Sequence, residues 1–253
     1  MRLLLRSTAA ALCLAVIAAA PARAQSFNDA QRGEIERIVK DYLIAHPEVL
    51  QEVMAEFEKR QNAAELEKQT AGVKQHKETL FNSAHQVTLG NPKGDVTMVE
   101  FFDYNCGYCK KALGDMLALI KTDPNLKVVL KEYPVLGPGS LEAAQVAVAA
   151  RMQDKTGKKY LDFHQRLLGG HGTADKARAL AAAKDAGFDM ARIEKDMASE
   201  EVRETLKENM KVADAIGLNG TPSYIIGSDV VIGAQGYDVL KEKVDANRKT
   251  ENR

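Results

Sequence analysis

The sequence predicts an α/β domain that carries an inserted helical block and is preceded by a helical arm, and three patterns carry that expectation. From Val87 onward short β-branched runs alternate with amphipathic stretches. Residues 140 to about 216 show helical periodicity throughout, and two apolar stripes parted by Pro47 come before both regions.

The N-terminus reads as an export signal. Arg2 and Arg6 precede an apolar stretch from Ser7 to Ala20, and Ala22-Arg23-Ala24 offers a small-x-small cleavage site before Gln25. The stretch is too short to span a membrane comfortably, so residues 1–24 are expected to be a cleaved signal peptide and the product exported and soluble. A lipoprotein reading of Cys13 is weak, because Leu12 stands where a small residue is expected. Losing Arg2, Arg6 and Arg23 takes the basic count from 35 to 32 against 35 acids, a mature net charge of −3 that implies no nucleic-acid partner.

Asn28 or Asp29 is placed to cap a first helix with Ile35, Ile38, Val39, Tyr42 and Leu43 on one face. His46-Pro47 breaks it, and Pro47 suits the first turn of a second helix whose apolar positions are Val49, Leu50, Val53, Met54 and Phe57. After Phe57 the chain turns polar, so residues 61–86 are expected to be a polar spacer, helical or flexible. Two short amphipathic helices cannot bury their stripes alone. Residues 25–60 are therefore expected to be an arm that joins copies of the chain into a homo-oligomer, the alternative being that the stripes fold back on the downstream domain.

Downstream, residues 87–89 and 96–102 read as strands, 106–120 as a helix and 126–133 as a strand. Pro134, Gly137, Pro138 and Gly139 end that strand, and Ser140 is placed to cap the next helix. Helical patterns cover 141–152, 159–168, 174–186, 190–197 and 200–216. Strand signals return at 223–226 and 230–232 around Gly227-Ser228-Asp229, and residues 237–246 close the domain as a helix.

Cys106-Gly107-Tyr108-Cys109 lies where a strand delivers the chain into a helix, and this pattern names a chemistry. The first turn of a helix presents unpaired N–H groups and the positive end of its dipole, which favour a thiolate at Cys106. Spacing of i, i+3 brings the two sulfurs within disulfide reach, so the pair can open and close. Structural zinc wants four Cys or His ligands, whereas His46, His76, His85, His164 and His171 are scattered singly and read as surface or half-buried residues. A redox dithiol is preferred, with no metal and no cofactor beyond the cysteine pair itself. Glu100 interrupts an apolar strand six residues earlier on the face of Met98 and Phe102, where a carboxylate is costly unless paired, for example with Lys131, or functional.

Strand, dithiol helix, strand, helical insertion, then Thr221-Pro222 before a hairpin and a last helix is the order of a thioredoxin-like fold with an inserted helical subdomain. With Glu100, the Cys106–Cys109 motif and Thr221-Pro222, residues 87–247 resemble the DsbA-like periplasmic thiol–disulfide oxidoreductases. The run Tyr42-Leu43-x-x-His46-Pro47-Glu48-x-Leu50 is similar to the ScsC and Com1-like branch, in which an N-terminal extension resembles an oligomerisation arm. The resemblance implies that Cys106 is the exposed attacking thiol, that Cys109 resolves, and that Glu100 passes protons to and from Cys109. It implies a cis Pro222 that leaves the Thr221 backbone free to pair with an extended substrate segment. It also implies secreted, cysteine-containing protein substrates and a membrane redox partner of DsbD/ScsB or DsbB type.

Gly107 and Tyr108 depart from DsbA proper, whose dithiol encloses Pro-His, so a weaker oxidant is expected. Cys-Gly-Tyr-Cys is also the dithiol of the isomerase DsbC. The expected function is a periplasmic protein-disulfide isomerase or reductase. The alternatives are a DsbA-like dithiol oxidase and, in another class, a Cu(I) carrier using two soft thiolates.

Overall fold

The computed structural model describes residues 27–154 and 156–251, so the expected signal peptide and Cys13 lie outside the described residues. Two compact units divide the chain, one ending at Glu58 and the other beginning at Lys59. No helix among the described residues is long and apolar enough to cross a membrane.

In the first unit α1 (Asp29–Ala45) begins with a reciprocal cap: Asn28 Oδ1 accepts from Gln31 N at 2.9 Å, and Gln31 Oε1 accepts from Asn28 N at 3.0 Å. α2 (Pro47–Gln75) starts at Pro47, whose missing N–H costs nothing in a first turn. No residue of α1 is buried, and Ile38, Tyr42, Met54 and Phe57 are each more than half exposed. Ile35, Val39, Leu43, Ile44, Pro47 and Leu50 line an open apolar groove of about 760 Å³.

The stretch expected as a polar spacer, 61–86, is a largely exposed polar helix as far as residue 71, but from Gly72 onward it is packed into the second unit. Its Ala, Glu, Lys and Gln content sustains α2 to Gln75 without an apolar stripe. Val73 and, on α3 (Lys77–Phe81), Leu80 then enter the core of the second unit beside Val99, Phe101, Val129, Val212 and Ile216. Gly72 permits the approach, since a Cβ there would lie 2.8 Å from Ala215 O.

The sheet of the second unit has the order β1-β3-β2-β4-β5, from β1 (Val87–Gly90), β2 (Val96–Phe102), β3 (Leu126–Glu132), β4 (Ser223–Ile226) and β5 (Asp229–Ile232). β2 and β3 run parallel, joined by α4 (Gly107–Thr122), and the other pairs are antiparallel. β2 and β3 are buried on both faces, which explains their near-continuous apolar runs. Met98, Phe102, Val128 and Leu130 face α4 and the helical insertion, whereas Val99, Phe101 and Val129 face Val73, Leu80 and Ile216.

The insertion is α5 (Pro138–Arg151), α6 (Lys158–Leu168), α7 (Lys176–Asp185), α8 (Met190–Asp196) and α9 (Glu200–Ile216); α10 (Tyr237–Glu251) follows the hairpin. Ser140 does not cap α5. Gly137 holds that position at φ 107°, which favours glycine, and Pro138 takes the first helical turn, leaving Ser140 inside the helix. Asp175, Asp189 and Ser199 cap α7, α8 and α9 by accepting from a backbone N–H three residues on.

Candidate active site

β2 hands the chain through Asp103-Tyr104-Asn105 into α4, and Cys106 occupies the cap position with an extended backbone, φ −75° and ψ 117°. No side chain caps this helix, so the first-turn N–H groups lie open beside the Cys106 sulfur. Cys106 N donates to Asp103 O at 3.0 Å, which closes the turn. Both cysteines are free thiols. Cys106 is 6% exposed and Cys109 0%, so the nucleophile expected to be exposed shows only an edge, although it remains the more accessible of the two. Gly107 and Tyr108 between them face outward, Tyr108 at 66% exposure.

Thr221-Pro222 is cis and lies against the dithiol. The Cys106 thiol donates to Thr221 O at 3.1 Å, which brings the attacking sulfur against the backbone of the cis-proline loop. Burial pushes the Cys109 thiol above the usual range, and negative charge on Glu100 or Cys106 pushes it further. Against that, the Asp103 N–H and the Thr221 side chain are placed to stabilise its ionised sulfur. Thr221 thus serves both sulfurs.

Glu100 is 2% exposed. Burial pushes its carboxyl up to about 8; a hydrogen bond from Tyr224 opposes the shift and Asp115 adds to it. Tyr224 Oη donates to Glu100 Oε1 at 3.5 Å, and Glu100 Oε2 has no partner. Lys131 is not its counter-ion. In the parallel register Glu100 pairs with Leu130 and Phe101 with Lys131, which puts Lys131 on the opposite face, 3.8 Å from Glu208. A buried acid held near neutrality on the face of the dithiol helix is equipped to give or take a proton there.

Sequence reasoning missed two polar groups around the motif. Asp103, 1% exposed, accepts at Oδ1 from Asn105 N (2.7 Å) and Ser140 Oγ (2.7 Å), and at Oδ2 from Val135 N (2.8 Å) and Leu136 N (3.0 Å). Asn105 exchanges hydrogen bonds with the Ala174 backbone at 2.7 and 2.8 Å. An Asp placed to accept from the N–H two residues on was a readable turn signal; its long-range partners were not. The second group is a buried chain in which Tyr160 Oη donates to Glu132 Oε1 at 2.5 Å, and Tyr104 Oη lies 3.2 Å from both Tyr160 Oη and His164 Nδ1. His164, expected at or near the surface, is 1% exposed, and burial pushes it down to about 3, so its ring is neutral.

Residues 97–245 match the DSBA-like thioredoxin domain, and residues 31–64 match the N-terminal domain of the copper resistance protein ScsC. A thioredoxin-like oxidoreductase from Silicibacter pomeroyi is 41% identical, with a TM-score of 0.65 over 68% of this chain and 98% of that one. A linker-deletion mutant of Proteus mirabilis ScsC is 27% identical, with a TM-score of 0.67 over 90% of this chain and 100% of that one. Among curated proteins, the Na(+)/H(+) antiporter NhaA 1 of Salinispora arenicola is 26% identical over 151 residues, 59% of this chain and 22% of that protein. The chain therefore spans about a fifth of the length of the curated relatives it matches.

Proposed function

Because the chain belongs to the DSBA-like thioredoxin family, in its ScsC-like branch, we propose that it is a periplasmic protein thiol–disulfide oxidoreductase that works chiefly as an isomerase or reductase on secreted proteins. One observation carries the reading: the Cys106 sulfur stands at an uncapped helix N-terminus, 3.1 Å from the carbonyl of the cis-proline loop, with Cys109 and the acid Glu100 buried on the side of the core.

The chemistry follows from those positions. Cys106 as thiolate attacks one sulfur of a substrate disulfide; the Cys106–substrate bond forms, the substrate S–S bond breaks, and the second substrate sulfur leaves as a thiolate. That thiolate can attack a different substrate disulfide, whose released sulfur then displaces Cys106, which is isomerisation. Otherwise Cys109 yields its proton to ionised Glu100 and attacks the Cys106 sulfur, and the substrate departs reduced by two electrons. Run backwards, with protonated Glu100 supplying the proton to the leaving Cys109, the same steps oxidise a substrate dithiol. Burial of Cys109 and Glu100 keeps water out of the exchange. A reductase or isomerase needs a membrane partner of DsbD/ScsB type and an oxidase one of DsbB type.

The Gly107-Tyr108 interior and the apolar arm favour the isomerase direction. The test is the thiol state of Cys106 in periplasmic extracts, read by alkylation, together with recovery of a scrambled-disulfide substrate. Reduced thiols and recovery support the reading; oxidised thiols without recovery overturn it in favour of a dithiol oxidase. The match to a copper resistance domain favours a second reading, Cu(I) held by Cys106 and Cys109. Tight Cu(I) binding with no exchange activity would establish it.

A further inference from the structure

We infer that Asp103 is a positioning residue for the dithiol: its carboxylate holds the turn whose own carbonyl receives the Cys106 N–H and so sets where the dithiol helix begins. The inference rests on the thiol-exchange reading. Asp103 is buried at 1% exposure, and its four carboxylate hydrogen bonds, at 2.7 to 3.0 Å, come from three places in the chain. Asn105 N lies in the turn itself, Val135 N and Leu136 N in the loop after β3, and Ser140 Oγ on α5. A carboxylate that merely filled space would not gather four donors, and four donors fix both its place and the rotation of its peptide groups.

Those peptide groups are the ones the reaction meets. Asp103 O receives Cys106 N–H at 3.0 Å, which sets the start of α4. The Asp103 N–H is among the groups that favour the ionised Cys109 sulfur. In the resolving step the Cys109 thiolate attacks Cys106, the Cys106–Cys109 bond forms, and the bond from Cys106 to the substrate breaks. The substrate leaves as a thiolate that takes its proton from water. Resolution needs the Cys109 sulfur in line with the Cys106–substrate bond at the start of α4, so loosening the turn that sets that start slows resolution. The clamp also reaches the surface, because Val135 and Leu136 are 40% and 53% exposed and their N–H groups are both spent on Asp103.

The test uses full-length mature protein carrying a Cys106–glutathione mixed disulfide, with release of glutathione followed by rapid mixing. Asp103→Asn keeps the shape but turns one acceptor oxygen into a donor facing N–H groups, and resolution should slow by about tenfold with a shifted reduction potential. Ser140→Ala removes one donor of the four and should change the rate by less than about threefold. Wild type and Asp103→Asn resolving alike, whatever their melting temperatures, overturns the inference. Wild type that forms no mixed disulfide at all overturns the exchange reading instead. Should Asp103→Asn fail to fold, hydrogen exchange of the unsubstituted protein decides. Protected Val135, Leu136 and Cys106 N–H groups support the clamp, and Val135 and Leu136 N–H groups that exchange as fast as those of an open loop overturn it.

Discussion

Two thiols three residues apart have different surroundings, and the difference supports the proposed roles, Cys106 attacking and Cys109 resolving. Cys106 has the helix N-terminus and the more accessible sulfur; Cys109 is sealed and pushed up by burial. Cys106→Ser should therefore abolish exchange, whereas Cys109→Ser should accumulate mixed disulfides visible on non-reducing gels. Equal trapping by both would reverse the assignment. Glu100 makes a prediction about pH. Its carboxyl is held at about 8 against an ordinary 4.5, mainly by burial, so the folded protein retains a proton that the unfolded chain has released. That contribution favours the fold below the ordinary value and is lost as pH climbs to the folded one, at up to about 1.4 kcal/mol per pH unit. Glu100→Gln cannot ionise, so urea midpoints between about pH 5 and pH 8 should fall more steeply for wild type than for the variant. Lys131 also titrates abnormally, at about 8, but it does so in both proteins and cancels in the comparison. Release of Cys106-linked substrate should be slower in Glu100→Gln and lose its inflection near pH 8. The dithiol and the buried acid were legible because each breaks a local rule, thiols at a helix start and a charge in an apolar strand, and the cis Pro222 was legible through the family resemblance. The long-range bonds of Asp103 and Ser140 and the Glu132–Tyr160–Tyr104–His164 chain were not, since those partners lie 28 or more residues away and periodicity carries no such pairing.

At the scale of elements, strands and helices with strong periodicity stand where the pattern put them, β2 at Val96–Phe102 and α9 at Glu200–Ile216 among them. What periodicity could not show is where α2 ends. A helix held by propensity alone has no stripe to read, yet its last turn and α3 are fastened to the sheet by Val73 and Leu80. Leu80 is 0% exposed, so Leu80→Ala leaves a cavity and should cost about 2–5 kcal/mol of stability in urea unfolding of the full chain. A spacer would not register the change, and a loss below about 0.5 kcal/mol would mean that α3 is not part of the core.

At the scale of the whole molecule, the arm leaves its apolar side chains exposed. Ile35, Ile38, Val39, Tyr42 and Ile44 on α1, and Leu50, Val53, Met54 and Phe57 on α2, are all at least two-fifths exposed, and several are more than half exposed. Exposed apolar stripes of this kind mark interaction surfaces, and we propose that a second copy of the chain covers them. Oligomerisation would also supply what an isomerase needs, because a misfolded chain must be held while a thiolate attacks it repeatedly, and several dithiols around one cleft raise their effective concentration. A single DsbA-like domain offers one thiolate and no cleft. Deleting residues 25–60 removes the stripes and leaves Val73, Leu80, the sheet and the insertion in place, so the remainder should fold as a monomer. It should lose recovery of scrambled substrate while keeping or gaining dithiol oxidation. Light scattering on the two proteins checks the first half, and paired assays with scrambled and reduced substrates check the second. A full mature chain that is already monomeric at micromolar concentration would mean that the arm folds onto its own domain, and the oxidase reading would then take precedence.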